Sequence, residues 1–147
     1  MIKTNLKSLA IAAACFLFFS INGSSQCRNV AKKQCFPQLL PYVQNGQFNS
    51  TRLSSSETAD MQMTFFAGQD YRLFVCSESV LGDVNFKVMD ADKKELFNSK
   101  KADSKQWDFN VATTMQLIVE VEVPPNDSPN KIIPEGCVSV LVGLKKQ

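Results

Sequence analysis

Apolar and polar residues alternate with a period of two along most of the chain after position 60. Such alternation is typical of β-strands that bury one face and leave the other in solvent. The alternating runs are separated by turn residues, and no helical pattern of ten or more residues lies between them. The pattern predicts an all-β fold, an antiparallel β-sandwich or jelly roll of about eight strands. The apolar positions concerned include Met61, Met63, Phe65, Tyr71, Leu73, Val75, Val84, Phe86, Val88, Leu117, Val119, Val121, Val138, Val140 and Val142.

Residues 26–45 have a different pattern, which predicts a short helical N-terminal segment packed on the sandwich. The stretch that begins at Val30 is compatible with a helix, whose length is limited by Pro37 and Pro41. Several apolar side chains can anchor this segment, namely Leu39, Leu40, Tyr42 and Val43. The sandwich domain itself is expected to occupy residues 46–147.

Residues 1–25 have the layout of a secretory signal peptide. Basic residues precede an apolar stretch from Leu9 to Ile21, and small polar residues lead to the expected cleavage after Ser25. The apolar stretch is shorter than the roughly 20 residues of a transmembrane helix. A lipoprotein signal ending at Cys15 and an uncleaved anchor are the alternatives. We therefore expect a periplasmic or secreted protein with no stable membrane insertion after cleavage.

The charge of the processed chain gives no sign of a nucleic-acid partner. The sequence has 16 Lys and Arg residues and 14 Asp and Glu residues. Removal of the leader takes away Lys3 and Lys7 and no acidic residue, so 14 residues of each sign remain. Nucleic-acid binding usually depends on a basic face that neutralises phosphates. A protein or glycan partner is the more consistent expectation.

Four cysteines follow the leader, and they are Cys27, Cys35, Cys76 and Cys137. An even number in an exported domain predicts two disulfides, and three pairings are possible. We favour Cys27–Cys35 and Cys76–Cys137. An unbroken helix over residues 27–35 would hold the first two Cα atoms about 12 Å apart, and pairing of both to the sandwich would then be the better interpretation. A zinc site is the alternative use, although the chain lacks CxxC spacing and histidine.

The absence of histidine from the sequence excludes the commonest hydrolase mechanisms, because neither a Ser-His-Asp nor a Cys-His arrangement can form. Glu120 and Glu122 could serve as a pair of glycosidase carboxylates, or they could lie on a solvent-exposed sheet face. Asp90 and Asp92 invite a calcium interpretation, but aspartate is also a normal residue of hairpin turns. We expect no catalytic residue, no cofactor and no metal ion.

Two aromatic residues fall on the parity opposite to the buried positions of their strands. Phe66 and Phe74 therefore belong either to a second packed layer or to an exposed binding patch. The longest irregular stretch runs from Pro124 to Pro134 and contains Asn126 and Asp127. Long loops at the ends of sandwiches often carry function. The candidate binding surface is thus formed by Phe66, Phe74, Asn126 and Asp127.

Two N-glycosylation sequons begin at Asn49 and Asn126. The second is a poor acceptor, because Pro129 follows its serine directly. These sequons do not change the functional expectation.

Residues 67–75 read Ala-Gly-Gln-Asp-Tyr-Arg-Leu-Phe-Val. Later segments continue a related pattern, namely Val84-x-Phe86-x-Val88-x-Asp90, Leu96-Phe97, Trp107-x-Phe109 and Leu117-Ile118-Val119-Glu120-Val121. Together they resemble the strands of bacterial pre-peptidase C-terminal-like β-sandwich domains, over residues 60–144. The resemblance implies a jelly-roll-like sandwich with a non-catalytic role, and it implies no particular ligand or site.

The chain also departs from that family. The family's last strand begins Gly-x-Tyr, whereas this chain has Gly136-Cys137-Val138. Cysteines at the strand positions of Cys76 and Cys137 are atypical, as is the cysteine-bearing N-terminal segment. The chain is more similar to small uncharacterised exported bacterial proteins that carry the same Tyr-Arg-Leu-x-Val-Cys and Gly-Cys-Val strands.

These observations favour a non-enzymatic exported binding or accessory module of the bacterial cell envelope or secreted space. A small carboxylate-dependent hydrolase is the first alternative, and a deep cleft between two carboxylates would support it. A structural subunit of an envelope assembly is the second, and a long unpaired edge strand or a large exposed apolar patch would support that.

Overall fold

The computed structural model describes residues 23–127 and 132–146. The predicted signal peptide lies mainly outside the described residues, as do residues 128–131 of the loop from Pro124 to Pro134. Among the described residues, no helix combines the length and apolar character needed to cross a bilayer.

The described residues form two antiparallel four-stranded sheets, which confirms the predicted all-β sandwich. Sheet A has the strand order β1-β8-β3-β6, and sheet B has the order β2-β7-β4-β5. The strands are β1 Val43–Ser54, β2 Thr58–Phe65, β3 Asp70–Ser77, β4 Asn85–Met89, β5 Glu95–Asn98, β6 Gln106–Asn110, β7 Met115–Glu122 and β8 Glu135–Leu144.

A helical segment precedes β1, as the sequence predicts. Helix α1 covers Gly23–Val30 and continues without interruption through a π-helical turn, Ala31–Cys35, and a 3₁₀ turn, Phe36–Leu39. Pro37 occupies the start of the 3₁₀ turn, and the extended backbone of Leu40 before Pro41 ends the helical path. Two short helices lie between later strands, a 3₁₀ turn at Ser79–Leu81 and α2 at Ser99–Ala102.

The core lies between the two sheets and is made by the alternating apolar positions. Twelve large side chains are almost completely buried, and burying each one contributes roughly 1.5–3 kcal/mol. Ten of them belong to this core, three aromatic and seven aliphatic. They are Phe65, Tyr71, Leu73, Val75, Phe86, Val88, Leu117, Val119, Val121 and Val123, and Val138, Val140 and Val142 lie at the same depth.

Strand β8 is buried on both faces, because the N-terminal segment covers the outer face of sheet A. Its inward residues contact the core, and its outward Ser139 and Leu141 are also almost inaccessible to solvent. The segment approaches so closely that a Cβ added at Gly143 would lie 2.8 Å from the Cβ of Tyr42. Glycine is therefore needed at this position.

Candidate functional site

The N-terminal segment is joined covalently to two strands of sheet A. Cys27 pairs with Cys137 on β8, with a Cα–Cα distance of 5.2 Å, and Cys35 pairs with Cys76 on β3, with a distance of 5.9 Å. The favoured pairing of Cys27 with Cys35 and of Cys76 with Cys137 is wrong. The backbone is helical from Cys27 to Cys35, so their Cα atoms lie too far apart for a disulfide.

Two disulfides are characteristic of oxidising compartments such as the periplasm and the secreted space. They confirm that the protein functions outside the cytoplasm, as the sequence predicts. All four cysteines among the described residues are engaged in these two bonds.

Phe74 is buried beneath the N-terminal segment and does not belong to a binding surface. Its side chain is 6% exposed and packs in a second apolar cluster with Ala31, Leu39 and Leu141. The expectation of an exposed patch at Phe74 is wrong, and the alternative of a second packed layer is correct for this residue. The reason is that the disulfide-bonded segment supplies the apolar partners that an open sheet face would lack.

Arg72 fixes the end of the N-terminal segment. Its Nε and Nη2 each donate to the Asp108 carboxylate over 2.7 Å, and its Nη1 donates to the Leu40 carbonyl oxygen over 3.1 Å. The guanidinium carbon lies 4.2 Å from the ring centre of Tyr42. The hydrogen bond from Arg72 holds the pKa of Asp108 below its usual value, while desolvation and then the Asp108 carboxylate raise the pKa of Tyr42. These groups satisfy one another and anchor the segment.

One lateral side of the sandwich is sealed by aromatic rings. Trp107 on β6 lies between Phe109 and Phe97 on β5, with ring-centre distances of 4.0 Å and 5.5 Å. Phe97 in turn contacts Phe86 in the core at 5.2 Å. The edge strands on this side are short, with four residues in β5 and five in β6. These rings cover the core on this side of the sandwich.

The opposite side is open and forms a groove of about 310 Å³ between β1 and β2. We call it the lateral groove. Its floor is formed by core valines of β7 and β8 that are themselves buried, and its walls carry polar and apolar side chains. The described residues that line it are Asn49, Ser50, Thr51, Leu53, Ala59, Asp60, Met61, Val121, Val138 and Val140.

Within the part of the chain that the structure describes, both strands that border the lateral groove have a free edge. Each is paired on one side only, β1 with β8 and β2 with β7. The Val75 N–H donates to the Lys105 carbonyl oxygen on the β6 side, so the even-numbered residues of β3 direct their backbone groups towards β8. Their partners in β8 are odd-numbered, so the even-numbered residues of β8 direct theirs towards β1. Asn49, Thr51 and Leu53 lie opposite these residues and therefore direct their backbone groups towards β8. The backbone groups of Ser50 and Arg52 consequently face the open edge.

The same reasoning applies to β2. The Val123 N–H donates to the Glu57 carbonyl oxygen, which directs the backbone of odd-numbered β2 residues towards β7. The backbone groups of Thr58, Asp60 and Gln62 therefore face the open edge. In agreement, the next residue in this series, Thr64, accepts a hydrogen bond from the Gln47 side chain across the gap.

The two ends of the lateral groove are closed by hydrogen bonds. At one end, the Gln47 Nε2 donates to the Thr64 carbonyl oxygen over 3.2 Å. At the other, the Ser54 N–H donates to the Glu57 carboxylate over 2.7 Å within the turn that joins β1 to β2. The open stretch thus corresponds to about five or six extended residues, roughly 17–20 Å.

The outer face of sheet B is uncovered and carries more acidic than basic residues next to the lateral groove. Asp60 on β2 faces Glu120 on β7 in the strand register, and Glu122 lies one step along. The Lys87 ammonium on β4 donates to Glu120 over 3.0 Å, and this bond raises the pKa of Lys87. Asp60 makes no ion pair with another described residue.

The carboxylates Glu120 and Glu122 do not line a cleft. Both point from the outer face of sheet B, and the hollow beside them has a volume of about 40 Å³. Small-molecule sites usually occupy about 300 Å³ or more. The interpretation as an open sheet face fits this geometry, since Glu120 is engaged by Lys87.

Asp90 has a structural task in the hairpin between β4 and β5. One oxygen of its side chain accepts the N–H groups of Asp92 and Lys94, each over 2.9 Å. This is the usual role of aspartate in a tight turn. No group of three potential metal ligands was found among the described residues.

The remaining candidates of the predicted binding surface lie apart from one another. Phe66 is 58% exposed and directly follows Phe65, the last residue of β2, which pairs with Met115. Asn126 and Asp127 are exposed and follow the opposite end of β7. Eight registered pairs of β2 and β7 separate the two ends, about 25 Å. The structure therefore does not bring Phe66, Asn126 and Asp127 into one site.

A second hollow, of about 410 Å³, lies beside the N-terminal segment. Most of its lining is polar, including Gln34, Gln38 and Ser79, and the ion pair of Lys105 with Asp83 forms part of its wall.

No protein-family model and no curated protein matches the sequence. Among solved structures, the chain is similar to the crystal structure of Aeromonas hydrophila PliG, a periplasmic lysozyme inhibitor of g-type lysozyme. The TM-score is 0.47 and the sequence identity is 13%, over 67% of this chain and 84% of that chain. The resemblance to pre-peptidase C-terminal-like domains stays a prediction.

Proposed function

We propose that the protein is a non-enzymatic, exported binding module that takes up an extended segment of a partner protein at the lateral groove. One observation carries this proposal. The two long edge strands, with twelve and eight residues, border the same groove, whose floor is formed by core valines. The opposite side is sealed by aromatic rings and has only short edges.

Free strand edges are a template for pairing with another chain. Natural proteins usually protect them with lysine, proline or very short strands. Neither β1 nor β2 contains lysine or proline, although β1 has a bulge near Gly46. Addition of a partner strand to such an edge gives affinity through backbone hydrogen bonds and specificity through alternate side chains.

The size and lining of the lateral groove favour a peptide over a glycan. Its volume of about 310 Å³ is at the lower limit for small-molecule sites. None of the described residues that line it is aromatic, so the groove offers no surface on which a sugar ring could stack. One or two apolar side chains of a partner would pack against the half-buried Ala59 and Met61 of the groove wall.

The hydrolase alternative has weaker support. It requires two free carboxylates on either side of a scissile bond, about 5–10 Å apart. Glu120 is paired with Lys87, and neither Glu120 nor Glu122 lines the lateral groove. The proposal of a non-enzymatic role rests on this arrangement together with the absence of histidine from the sequence.

Filling the lateral groove tests the proposal. Thr51 is exposed, points into the groove and lies opposite Val138. Thr51→Phe should cover the valines, as the aromatic rings do on the sealed side, and should stabilise the fold by about 0.2–1 kcal/mol. Peptides selected on the wild-type protein from a random display library should lose binding to this variant.

Thr51→Val is the matched control, because it keeps the shape of the side chain and leaves the groove open. The selected peptides should bind it as they bind the wild type. Equal binding of the selected peptides to Thr51→Phe, or the failure to select any peptide on the wild-type protein, would contradict the proposal. Urea unfolding of each variant shows whether the fold is retained.

A further inference from the structure

We infer that the bound segment pairs with β2 rather than β1, and that it presents a basic residue to Asp60 between two apolar residues that enter the lateral groove. This inference rests on the proposed function and defines the chemistry of the partner. Three observations lead to it: the space beside each edge, the charge beside β2, and the side-chain alternation along β2.

The space beside the two edges differs. On the outer face of sheet A, Phe48 of β1 contacts the Phe36 ring at 5.2 Å, and the Arg28 guanidinium lies 5.1 Å from its ring centre. A strand added to β1 would direct every second side chain towards this crowded surface. Beside β2, by contrast, the outer face of sheet B is uncovered, and Asp60 and Gln62 are exposed.

The charge beside β2 favours a basic side chain in the bound segment. Among the outward residues of β2, β7 and β4, three are acidic, namely Asp60, Glu120 and Glu122, and one is basic, Lys87. Lys87 is engaged by Glu120, while Asp60 has no ionic partner among the described residues. On the opposite rim, Arg52 is already bonded to Glu135 over 3.0 Å. A basic side chain opposite Asp60 would complete the pattern.

The alternation along β2 fixes what flanks the basic residue. Asp60 points outward and its backbone faces the open edge, so the residue opposite it in an added antiparallel strand would exchange two hydrogen bonds with it. The neighbours of that residue would lie opposite Ala59 and Met61, both of which line the groove. Apolar side chains at these two positions would cover the valine floor, which gives the motif apolar–basic–apolar.

Two synthetic peptides test the motif on the processed, disulfide-bonded protein. Their sequences are Gly-Thr-Leu-Arg-Leu-Thr-Gly and Gly-Thr-Leu-Glu-Leu-Thr-Gly, with both ends blocked, and binding is followed by NMR titration at low salt. The arginine peptide should bind the wild type at least about two- to fivefold more tightly, the effect of one exposed ion pair. Asp60→Asn should reduce this preference, and Asp60→Lys should reverse it.

Proline substitutions show which edge is used. Gln62→Pro removes an N–H that faces the open edge of β2, and it should abolish binding of the arginine peptide, whereas Gln62→Ala should not. Ser50→Pro makes the equivalent change on β1 and should leave binding intact. Edge positions of this kind tolerate proline, and far-UV circular dichroism verifies each fold. If Gln62→Pro does not fold, the reversal in Asp60→Lys alone decides the outcome.

Several results would overturn the inference while the proposed function stands. They are an unchanged preference in Asp60→Lys, loss of binding in Ser50→Pro but not in Gln62→Pro, and binding of library-selected peptides without any binding of the arginine peptide. A wild-type dimer that Gln62→Pro converts to a monomer in sedimentation would also overturn it, because a second copy would then occupy the edge. Absence of binding by every peptide, including those from the library, would overturn the proposed function itself.

Discussion

Phe66 and Phe74 show how strongly the surroundings of a residue determine its role. The sequence places both on the same unusual parity, yet Phe74 is 6% exposed beneath the N-terminal segment and Phe66 is 58% exposed after β2. The difference comes from residues more than thirty positions earlier in the chain, which alternation within one strand cannot reveal. Asp108 is a similar case, because its partner Arg72 lies on the neighbouring strand and the two residues are paired in register.

Substitution of the two phenylalanines should give opposite results. Phe74→Ala removes a buried ring from the cluster of Ala31, Leu39 and Leu141, so the free energy of unfolding should fall by about 3–5 kcal/mol. Phe66→Ala removes an exposed ring and should change it by less than about 0.5 kcal/mol. Urea unfolding measures both. Equal losses would mean that the N-terminal segment does not cover sheet A.

The Asp108 carboxylate should contribute to acid sensitivity. Its pKa is lowered in the folded protein by the hydrogen bond from Arg72, so its contribution is fully present above the unfolded pKa of roughly 3.9 and is lost as the pH falls through the lower folded value. Asp108→Asn should therefore be less stable at pH 7 and should lose less stability than the wild type between pH 5 and 2.

Asp83 provides the control for this experiment. Its pKa is also lowered, by a hydrogen bond from Lys105, but the carboxylate is fully exposed and screened by solvent. Asp83→Asn should follow the pH dependence of the wild type. If Asp108→Asn also followed the pH dependence of the wild type, the contact with Arg72 would contribute nothing to the free energy of unfolding.

At the scale of elements, the sequence identifies the strands with apolar inward residues and misses β1, one of the two strands at the open side. Strands β2 to β4, β7 and β8 have inward residues that are apolar, so their alternation is visible. In β1, by contrast, Leu53 is the only buried residue, and Asn49 and Thr51 occupy inward positions. These positions face the lateral groove and not a packed core, so the chain can place polar residues there and the period of two disappears.

The disulfides could not be predicted for a related reason. Their pairing depends on the path of the N-terminal segment over sheet A, and the sequence indicates a short helix without its direction. The pairing is decided by whether the helix is unbroken from Cys27 to Cys35. The sequence alone does not decide this. Once the helix is known, the length of the helical rise excludes the local pair.

Removal of each disulfide should destabilise the fold to a different extent. The Cys27–Cys137 bond closes a loop with a sequence separation of 110, and the Cys35–Cys76 bond closes one of 41. Chain-entropy arguments give losses of about 5 and 4 kcal/mol, so the double alanine variant at positions 27 and 137 should be the less stable by about 1 kcal/mol. Thermal unfolding with and without reductant measures this. The reverse order would indicate that packing around Cys35 and Cys76 outweighs loop closure.

At the scale of the whole molecule, the sandwich is asymmetric in two directions. One face, sheet A, is covered by a covalently held segment, and the other is open and acidic. One lateral side carries stacked aromatic rings, and the other has a groove between the edges of β1 and β2. The sequence predicts the layers, because burial leaves a periodic trace. It does not predict the lateral groove, because the residues that form the groove are far apart in the chain. The groove also depends on the lack of a large side chain that would fill it, and no periodic pattern records this.

The nested order of the two disulfides has a consequence for how the chain matures. A polypeptide that enters an oxidising compartment from its N-terminal end presents Cys27 and Cys35 together, long before Cys137 follows. Once the helix between the first two cysteines has formed, it prevents a disulfide between them, because it holds their sulfurs too far apart. Cys35 can join Cys76 as soon as β3 has arrived, and Cys27 must wait for β8, so the covalent closure of the molecule is the last bond to form.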